Sequence, residues 1–331
     1  MKDIIKIESL VKRFGDFVAL NNINLTIKEG ELFGILGPNG AGKTTTINII
    51  ATLTKPTEGR VIVNGYDVVK NPEGVKKTIN VMTQETIVEP DLTARQNLDL
   101  FARLYGITDK AERERKVMEG LERADLVRFA DRYAGSFSGG MQRRLALSMS
   151  LINDPKIIIL DEPTVGLDVQ NRVRLWEEIK KLNKEENRTV ILTTQYLEEA
   201  DALCDRIAII DHGQIKAIGT ATELKKLVSK SLIIEIIPQK DYIEKVSSLL
   251  KEEFEIEINI ENERITALYE GDPLEIAGKI TDLLRRKKIP VNSFSIRLPT
   301  MDDVFIKLTG ASLRDSASES NNLRANIMAR R

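Results

Sequence analysis

One short stretch near the N-terminus constrains the fold of this chain more than any other: residues 37–44 read Gly-Pro-Asn-Gly-Ala-Gly-Lys-Thr. The apolar run 31–36 before it has the pattern of a buried strand, and residues 43–52 after it have the pattern of a helix. Between a strand and a helix, glycines let backbone N–H groups converge on phosphate oxygens, and the helix N-terminus adds positive charge. This context predicts a nucleotide-binding phosphate loop. The predicted binding residues are Gly37, Pro38, Asn39, Gly40, Ala41, Gly42, Lys43, Thr44 and Thr45.

Two side chains of the phosphate loop and two acidic residues further along have predicted chemical roles. Lys43 is expected to reach the β- and γ-phosphates of ATP, and the Thr44 hydroxyl to ligate Mg²⁺. The apolar run 157–160 ends in Asp161 and Glu162. On its own, an acidic pair after a strand is more often solvated surface. Beside a phosphate loop, Asp161 is instead expected to hold Mg²⁺ and Glu162 to polarise the attacking water.

Composition argues against several other classes of protein. The chain carries 49 Lys and Arg against 50 Asp and Glu, without the basic surplus of most nucleic-acid binders, so nucleic acid is not an expected partner. Cys204 is the only cysteine in the sequence, which rules out an internal disulfide and fits a reducing compartment. The N-terminus lacks the apolar core of a signal peptide, and the apolar runs are far shorter than the ~20 residues that span a bilayer. We therefore expect a soluble chain, with any work in a membrane done by a partner.

The hydrophobic pattern predicts an α/β domain at residues 1–220. Its apolar runs at 156–160 and 189–193 are typical of central parallel strands buried on both faces. Another strand is predicted at 79–84. Between about 90 and 150 a helical period takes over and predicts an inserted helical subdomain. One predicted apolar face of that subdomain combines Leu98, Phe101, Leu104 and Tyr105, and another combines Val117, Leu121, Ala124 and Leu126.

Residues 221–310 predict a second, smaller α+β domain. Strands and helices alternate there as β-α-β-β-α-β, which is the ferredoxin-like order, with the second strand predicted at 254–260. The tail 311–331 is rich in Ser, Asn, Ala and Arg and is expected to be flexible.

Residues 137–144, Phe-Ser-Gly-Gly-Met-Gln-Arg-Arg, resemble the signature sequence of the ATP-binding-cassette (ABC) ATPases, with Met141 where the family commonly has Gln. Ser138, Gly139 and Gly140 begin a helix there and can bind an anion. The alternative interpretation is an ordinary helix N-cap. The resemblance covers residues 4–220. It implies that this segment faces the γ-phosphate held by a second ATP-binding subunit, in a head-to-tail dimer of identical or different chains.

The same resemblance implies roles for three other residues. Phe14 matches the aromatic residue that stacks on adenine, although a lone Phe is more often part of a core. Gln84, at the end of the strand predicted at 79–84, matches the glutamine that senses Mg²⁺ and the attacking water and contacts a membrane subunit. Asp168 matches the dimer-contact loop, and it can also cap the helix that follows.

Gln195 departs from the family pattern, because it stands where the resemblance predicts a switch histidine. Its amide can donate a hydrogen bond to a γ-phosphate, but it cannot become cationic or shuttle a proton near neutral pH. Since charge-assisted hydrogen bonds are about twice as strong as neutral ones, reduced turnover is expected. Either the chain is a natural or engineered variant trapped with ATP bound, or Glu162 and the signature support slow hydrolysis. His212, the only histidine, is predicted to be an exposed turn residue.

The segment 299–305, Pro-Thr-Met-Asp-Asp-Val-Phe, and the extra C-terminal domain narrow the resemblance to the ATPase subunits of daunorubicin-resistance-type multidrug exporters. That resemblance implies a separate integral membrane permease, which contacts this chain near Gln84 and the helical subdomain. It also implies a cytoplasmic location at the inner face of the cell membrane. A rival hypothesis is an ATP-driven machine acting on nucleic acid or ribosomes. Such relatives fuse two cassettes or carry a long coiled-coil insertion, features that this sequence lacks. A third hypothesis is that residues 221–310 bind a small regulatory ligand.

Overall fold

The computed structural model describes residues 2–84, 87–228, 232–254, 256, 258–261 and 263–310, and the prediction for the tail 311–331 lies outside them. The described chain divides into two compact units, one ending at Ala221 and the other spanning Thr222–Gly310.

The first unit contains ten strands and seven α-helices within the described ranges. The strands are β1 (Asp3–Phe14), β2 (Phe17–Lys28), β3 (Leu32–Leu36), β4 (Glu58–Val63), β5 (Tyr66–Asp67), β6 (Ile79–Met82), β7 (Ile157–Asp161), β8 (Thr189–Thr194), β9 (Arg206–Asp211) and β10 (Gln214–Gly219). The helices are α1 (Lys43–Ile50), α2 (Pro72–Lys76), α3 (Ala94–Leu104), α4 (Lys110–Arg123), α5 (Gly139–Ser150), α6 (Val169–Lys184) and α7 (Leu197–Leu203).

A six-stranded sheet in the order β10-β9-β3-β8-β7-β6 forms the centre of this unit. Strands β3, β7 and β8 are buried along their whole length, because apolar side chains cover both faces, as the sequence predicts. They run parallel, with Leu36 paired to Thr194 and Asp161 paired to Thr193 at their carboxyl ends. The loops that follow these three strands therefore emerge at one edge of the sheet.

A smaller antiparallel sheet, β2-β1-β4-β5, shares its core with the central sheet. Ile7 of β1, Val61 of β4, Ile47 of α1 and Ile159 of β7 belong to one buried apolar cluster. Helix α1 is thereby packed between elements of both sheets, which fixes the direction of the helix that follows the phosphate loop.

Helices α3, α4 and α5 enclose a separate apolar core. Leu98, Val117 and Leu121 are buried in it, as predicted. The prediction for Leu104 was wrong, because its side chain is 70% exposed. It lies six residues after Leu98, about 120° away around the helix, whereas Ala102 lies on the buried face.

The second unit begins one residue inside α8 (Ala221–Val228). It also contains β11 (Leu232–Pro238), α9 (Ile243–Phe254), β12 (Ile258–Glu261), β13 (Arg264–Tyr269), α10 (Pro273–Arg286), β14 (Val291–Arg297) and α11 (Met301–Thr309). Its four strands form an antiparallel sheet in the order β12-β13-β11-β14. The strand predicted from residue 254 starts only at Ile258, because Phe254 is the last residue of α9.

Candidate functional site

The phosphate loop connects β3 to α1 at the carboxyl edge of the central sheet. Gly42 precedes α1 with φ +106°, a left-handed conformation that favours glycine. Gly37 is required for a different reason, because a Cβ atom there would lie 2.2 Å from the backbone oxygen of Ile210. The loop therefore follows a path close to β9 that side chains at these positions would block.

Lys43 lies across the inside of this loop and is only 4% exposed. Its Nζ donates to the backbone oxygens of Gly37, at 2.7 Å, and Pro38, at 3.1 Å. The same nitrogen lies 3.1 Å from Oε1 of Glu162. Burial lowers the pKa of Lys43, and the attraction of Glu162 opposes that shift. The structure thus brings the phosphate loop into contact with Glu162, which directly follows β7.

Asp161, the last residue of β7, connects two hydroxyl groups. Thr44 Oγ1 donates to Asp161 Oδ2 over 3.3 Å, and Thr193 Oγ1 of β8 donates to Asp161 Oδ1 over 2.5 Å. Asp161 is buried, and Thr193 is completely buried. A carboxylate and a hydroxyl oxygen therefore lie side by side at the start of α1, which is the donor set that a hard cation such as Mg²⁺ prefers.

Glu162 has a left-handed backbone, with φ +48°, which is uncommon for a residue other than glycine. The N–H of Glu162 donates to two oxygens of Thr193, the backbone carbonyl at 3.1 Å and the side-chain hydroxyl at 3.0 Å. The Glu162 carboxylate is buried beside Lys43. Tertiary contacts thus hold a strained backbone that directs this carboxylate towards the phosphate loop.

Ser138 caps α5, and its hydroxyl accepts a hydrogen bond from the N–H of Met141 at 3.4 Å. Gly140 permits close packing, because a Cβ atom there would lie 2.5 Å from the side chain of Asn171. Asp168 caps α6, and it accepts hydrogen bonds from the backbone and side chain of Asn171 that lower the pKa of Asp168. The signature segment and the loop before α6 are therefore in contact through Asn171.

Three other predicted residues lie outside this buried cluster. Phe14, at the end of β1, is 51% exposed, and the Nζ of Lys12 lies 4.7 Å from the centre of its ring. Gln84 is exposed and lies two residues beyond β6, so the prediction that the strand extends to it was wrong. Gln195 directly follows β8 and is half-buried.

His212 lies in the turn between β9 and β10, and its side chain is 91% exposed, as predicted.

Arg143 was not singled out from the sequence, although it lies within the signature segment. Its side chain is only 4% exposed, and it contacts the backbone around Asp161, Glu162 and Gln84. Burial lowers the pKa of Arg143 to about 10, opposed by the charge of Asp161, so the guanidinium stays cationic at neutral pH. In the sequence, Arg143 is visible only as one of two adjacent arginines, and nothing in that pattern indicates that it is buried near Asp161 and Glu162.

Comparison with known proteins identifies the class. The family model of ABC transporters matches residues 20–165. This chain belongs to the ATP-binding proteins of ABC transporters, and it is an ATPase of that family.

Among individual proteins, it is 41% identical to the doxorubicin resistance ATP-binding protein DrrA of Mycobacterium tuberculosis, over 89% of each chain. It is 37% identical to the daunorubicin resistance ATP-binding protein DrrA3 of Streptomyces coeruleorubidus, over 94% of this chain and 97% of that one. A dimeric structure of the ATP-binding cassette MJ0796 in a post-hydrolysis state, bound to ADP and Pi, has a TM-score of 0.59 and 34% identity. The match covers 65% of this chain and 98% of that chain.

Among the residues that the structure describes, none of the helices has both the length and the apolar character needed to cross a membrane.

Proposed function

We propose that this chain is the ATP-hydrolysing subunit of an ABC exporter, which drives transport through a separate membrane permease by ATP-dependent closure of a dimer. The observation that carries the proposal is the buried cluster in which Lys43, Glu162, Asp161 and Thr44 meet at the phosphate loop. At this one edge of the sheet, the cluster would supply a cation for the phosphates, a base for the attacking water and oxygen ligands for a metal.

Residues 37–45 would bind the phosphates of ATP, and Phe14, which is half-exposed, would stack on its adenine. Thr44 and Asp161 fit Mg²⁺, because their oxygens are already adjacent and both are hard ligands. Gln84 would join them through its side-chain amide. When bound, Mg²⁺ would neutralise charge on the phosphates.

Within this site, Glu162 would polarise the attacking water, and Lys43 would move its ammonium group to the β- and γ-phosphates. Gln195 would offer a neutral hydrogen bond to the γ-phosphate, where a histidine could offer a charged one. We therefore expect hydrolysis that is slower than with histidine at this position, but not abolished.

Each site would be completed by the signature segment of a second subunit. Ser138, Gly139 and Gly140 form the N-terminus of α5, where backbone N–H groups and the helix dipole favour an anion. Their contacts in the chain run to Met141 and Asn171. Asp168, beside Asn171, would lie at the same dimer contact. The dimeric form of the similar cassette MJ0796 supports this arrangement.

The remaining assignments concern the partner and the second unit. The drug-resistance names of the DrrA relatives support export of a drug-like substrate, and a permease would hold the chain at the cytoplasmic face of the membrane. We assign residues 1–220 to the ATP-binding domain, 90–150 to its helical subdomain and 221–310 to an accessory domain. The strand order β12-β13-β11-β14 supports a ferredoxin-like fold for the accessory domain.

A mixing experiment tests the composite site. Lys43→Ala removes the phosphate cation and Ser138→Arg blocks the signature, so each homodimer of these variants should be inactive. In a mixed dimer, one site keeps Lys43 from one chain and Ser138 from the other. An equimolar mixture should therefore recover about a quarter of wild-type activity, since half of the dimers carry one intact site of two.

Absence of recovery, with both variants folded and dimeric in the presence of ATP, would contradict the head-to-tail site. Copurification with a permease that crosses the membrane, expressed from a neighbouring reading frame, tests the transport assignment separately.

A further inference from the structure

Arg143 uses every donor of its guanidinium on backbone carbonyl groups. Arginine has five N–H donors, and the structure gives five hydrogen bonds. The bonds run from Nε to Pro163 O at 2.6 Å, from Nη1 to Thr83 O at 3.2 Å and Gln84 O at 2.9 Å, and from Nη2 to Asp161 O at 3.4 Å and Glu162 O at 2.8 Å. These carbonyl groups belong to the segment after β6, to the last residue of β7 and to the turn that follows β7.

A buried cation bonded only through neutral carbonyls is costly, because desolvation of the charge must be offset by the surroundings. The nearby carboxylates of Asp161, Glu162 and Glu199 offset part of that cost at longer range. A side chain that served packing alone would not need a charge here. The arrangement therefore indicates that the position of these carbonyl groups matters.

The Glu162 backbone supplies an independent observation. Its φ of +48° is a conformation that a glutamate rarely adopts, and it persists only when neighbours impose it. The N–H of Glu162 is held by Thr193, and its carbonyl oxygen is held by Arg143 at 2.8 Å. Both peptide groups that flank this residue are thus fixed, and with them the direction of the carboxylate that contacts Lys43.

We infer that Arg143 is a positioning residue for hydrolysis: from the signature helix, it sets the backbone of Gln84 and Glu162 and so aims the catalytic carboxylate. The inference rests on the catalytic role proposed above for Glu162. Because Arg143 lies on α5, about one turn after Gly139 and Gly140, a displacement of the signature segment carries the guanidinium with it. Contact between the signature segment of one chain and the nucleotide of the partner is thereby coupled to the orientation of the Glu162 carboxylate in the first chain.

The test compares Arg143→Lys with Arg188→Lys. A lysine keeps the charge but has three donors on one atom, so it cannot span carbonyls of both segments. Arg188 is a matched control at the opposite, amino end of β8, where it donates to Pro155 O at 2.8 Å and pairs with Glu186 at 2.8 Å. Steady-state ATPase kinetics and thermal melting are measured for both variants, for Glu162→Gln and for the wild type.

We expect Arg143→Lys to lower kcat by about 100-fold, since a misplacement of 1 Å can cost that much, and to change KM for ATP less than threefold. Arg188→Lys should have a lower Tm than the wild type but a kcat within about twofold of the wild-type value. Arg143→Gln, which buries no unpaired charge, should show the same split between kcat and KM if the lysine variant fails to fold.

A kcat within threefold of the wild-type value in a folded Arg143 variant would overturn the inference. So would a loss of kcat in Arg188→Lys as large as the loss in Arg143→Lys. Full activity of Glu162→Gln would instead overturn the catalytic assignment on which the inference rests. Loss in Glu162→Gln together with normal Arg143 variants would sink the Arg143 inference alone.

Discussion

Thr193→Val is the substitution that most directly tests how the carboxylate of Asp161, which we propose binds Mg²⁺, is held in position. Valine has nearly the same shape as threonine but lacks the hydroxyl that donates to Asp161 Oδ1 and accepts from the Glu162 N–H at 3.0 Å. In the variant, the N–H of Glu162 can still donate to the backbone carbonyl of residue 193, at 3.1 Å. The hydrogen bond that is lost without replacement is therefore the one to Asp161. Thr193 is completely buried, and water cannot readily replace the missing group.

The expected magnitudes follow from that single lost bond. A hydrogen bond to a charged group contributes about 1.5–3 kcal/mol, which corresponds to a Tm lower by about 3–6 °C for a unit of this size. A carboxylate that binds metal also loses its fixed orientation. Loss of such a supporting hydrogen bond typically weakens metal binding by roughly 10- to 100-fold. We therefore expect the Mg²⁺ concentration for half-maximal ATPase activity to rise at least about tenfold.

The assay is ATPase activity as a function of free Mg²⁺ at saturating ATP, with thermal melting in the absence of nucleotide. Thr193→Ser is the control, because it keeps the hydroxyl and loses only a buried methyl group, at a cost of about 1 kcal/mol. It should lower Tm and leave the Mg²⁺ dependence unchanged. An unchanged Mg²⁺ dependence in Thr193→Val, or an equal shift in both variants, would refute the reasoning.

Three further predictions concern other parts of the unit. Gln195→His should raise kcat severalfold, because a charge-assisted bond replaces a neutral one; equal rates for the two proteins would mean that position 195 does not limit turnover. Phe14→Ala should raise KM for ATP with little change in kcat, since stacking on adenine is the same in ground and transition states; an unchanged KM would remove Phe14 from the site. Burial raises the pKa of Glu199 in the folded protein above its value in the unfolded chain. The folded protein is therefore destabilised as the pH rises from the pKa of the unfolded chain through the pKa of the folded protein. Glu199→Gln can still accept the hydrogen bond from Trp176, so its Tm should exceed that of the wild type by more at pH 8 than at pH 5. A Tm difference that does not depend on pH would contradict the raised pKa of Glu199.

The sequence was most informative where local patterns determine structure. The phosphate loop, Asp161 and Glu162 follow strands whose apolar runs are continuous, and parallel strands bring their carboxyl ends to one edge whatever the rest of the chain does. Arg143 could not be found in this way, because its partners are backbone carbonyls from two distant segments, and every residue has a carbonyl. Thr193 is visible as a polar residue in an apolar strand, but its bond to Asp161 depends on the register between β7 and β8. The prediction for Leu104 was wrong because a spacing of six residues places it about 120° from Leu98 around the helix, where Ala102 and not Leu104 completes the buried face.

In the proposed mechanism, the contacts of Lys43 would connect ATP binding to the release of the Glu162 carboxylate. An ammonium group has three donors, and those of Lys43 are directed to Gly37, Pro38 and Glu162. It cannot keep all three partners and also bind the β- and γ-phosphates, so a nucleotide must compete with the Glu162 carboxylate for this cation. Because the competing phosphate carries more negative charge, it would displace the carboxylate, which would then be free to accept a proton from water. On this proposal, the base would become available only when ATP is bound. Arg143 and Thr193 hold the backbone of Glu162, so the exchange at Lys43 would be confined to side chains and would leave that backbone in place.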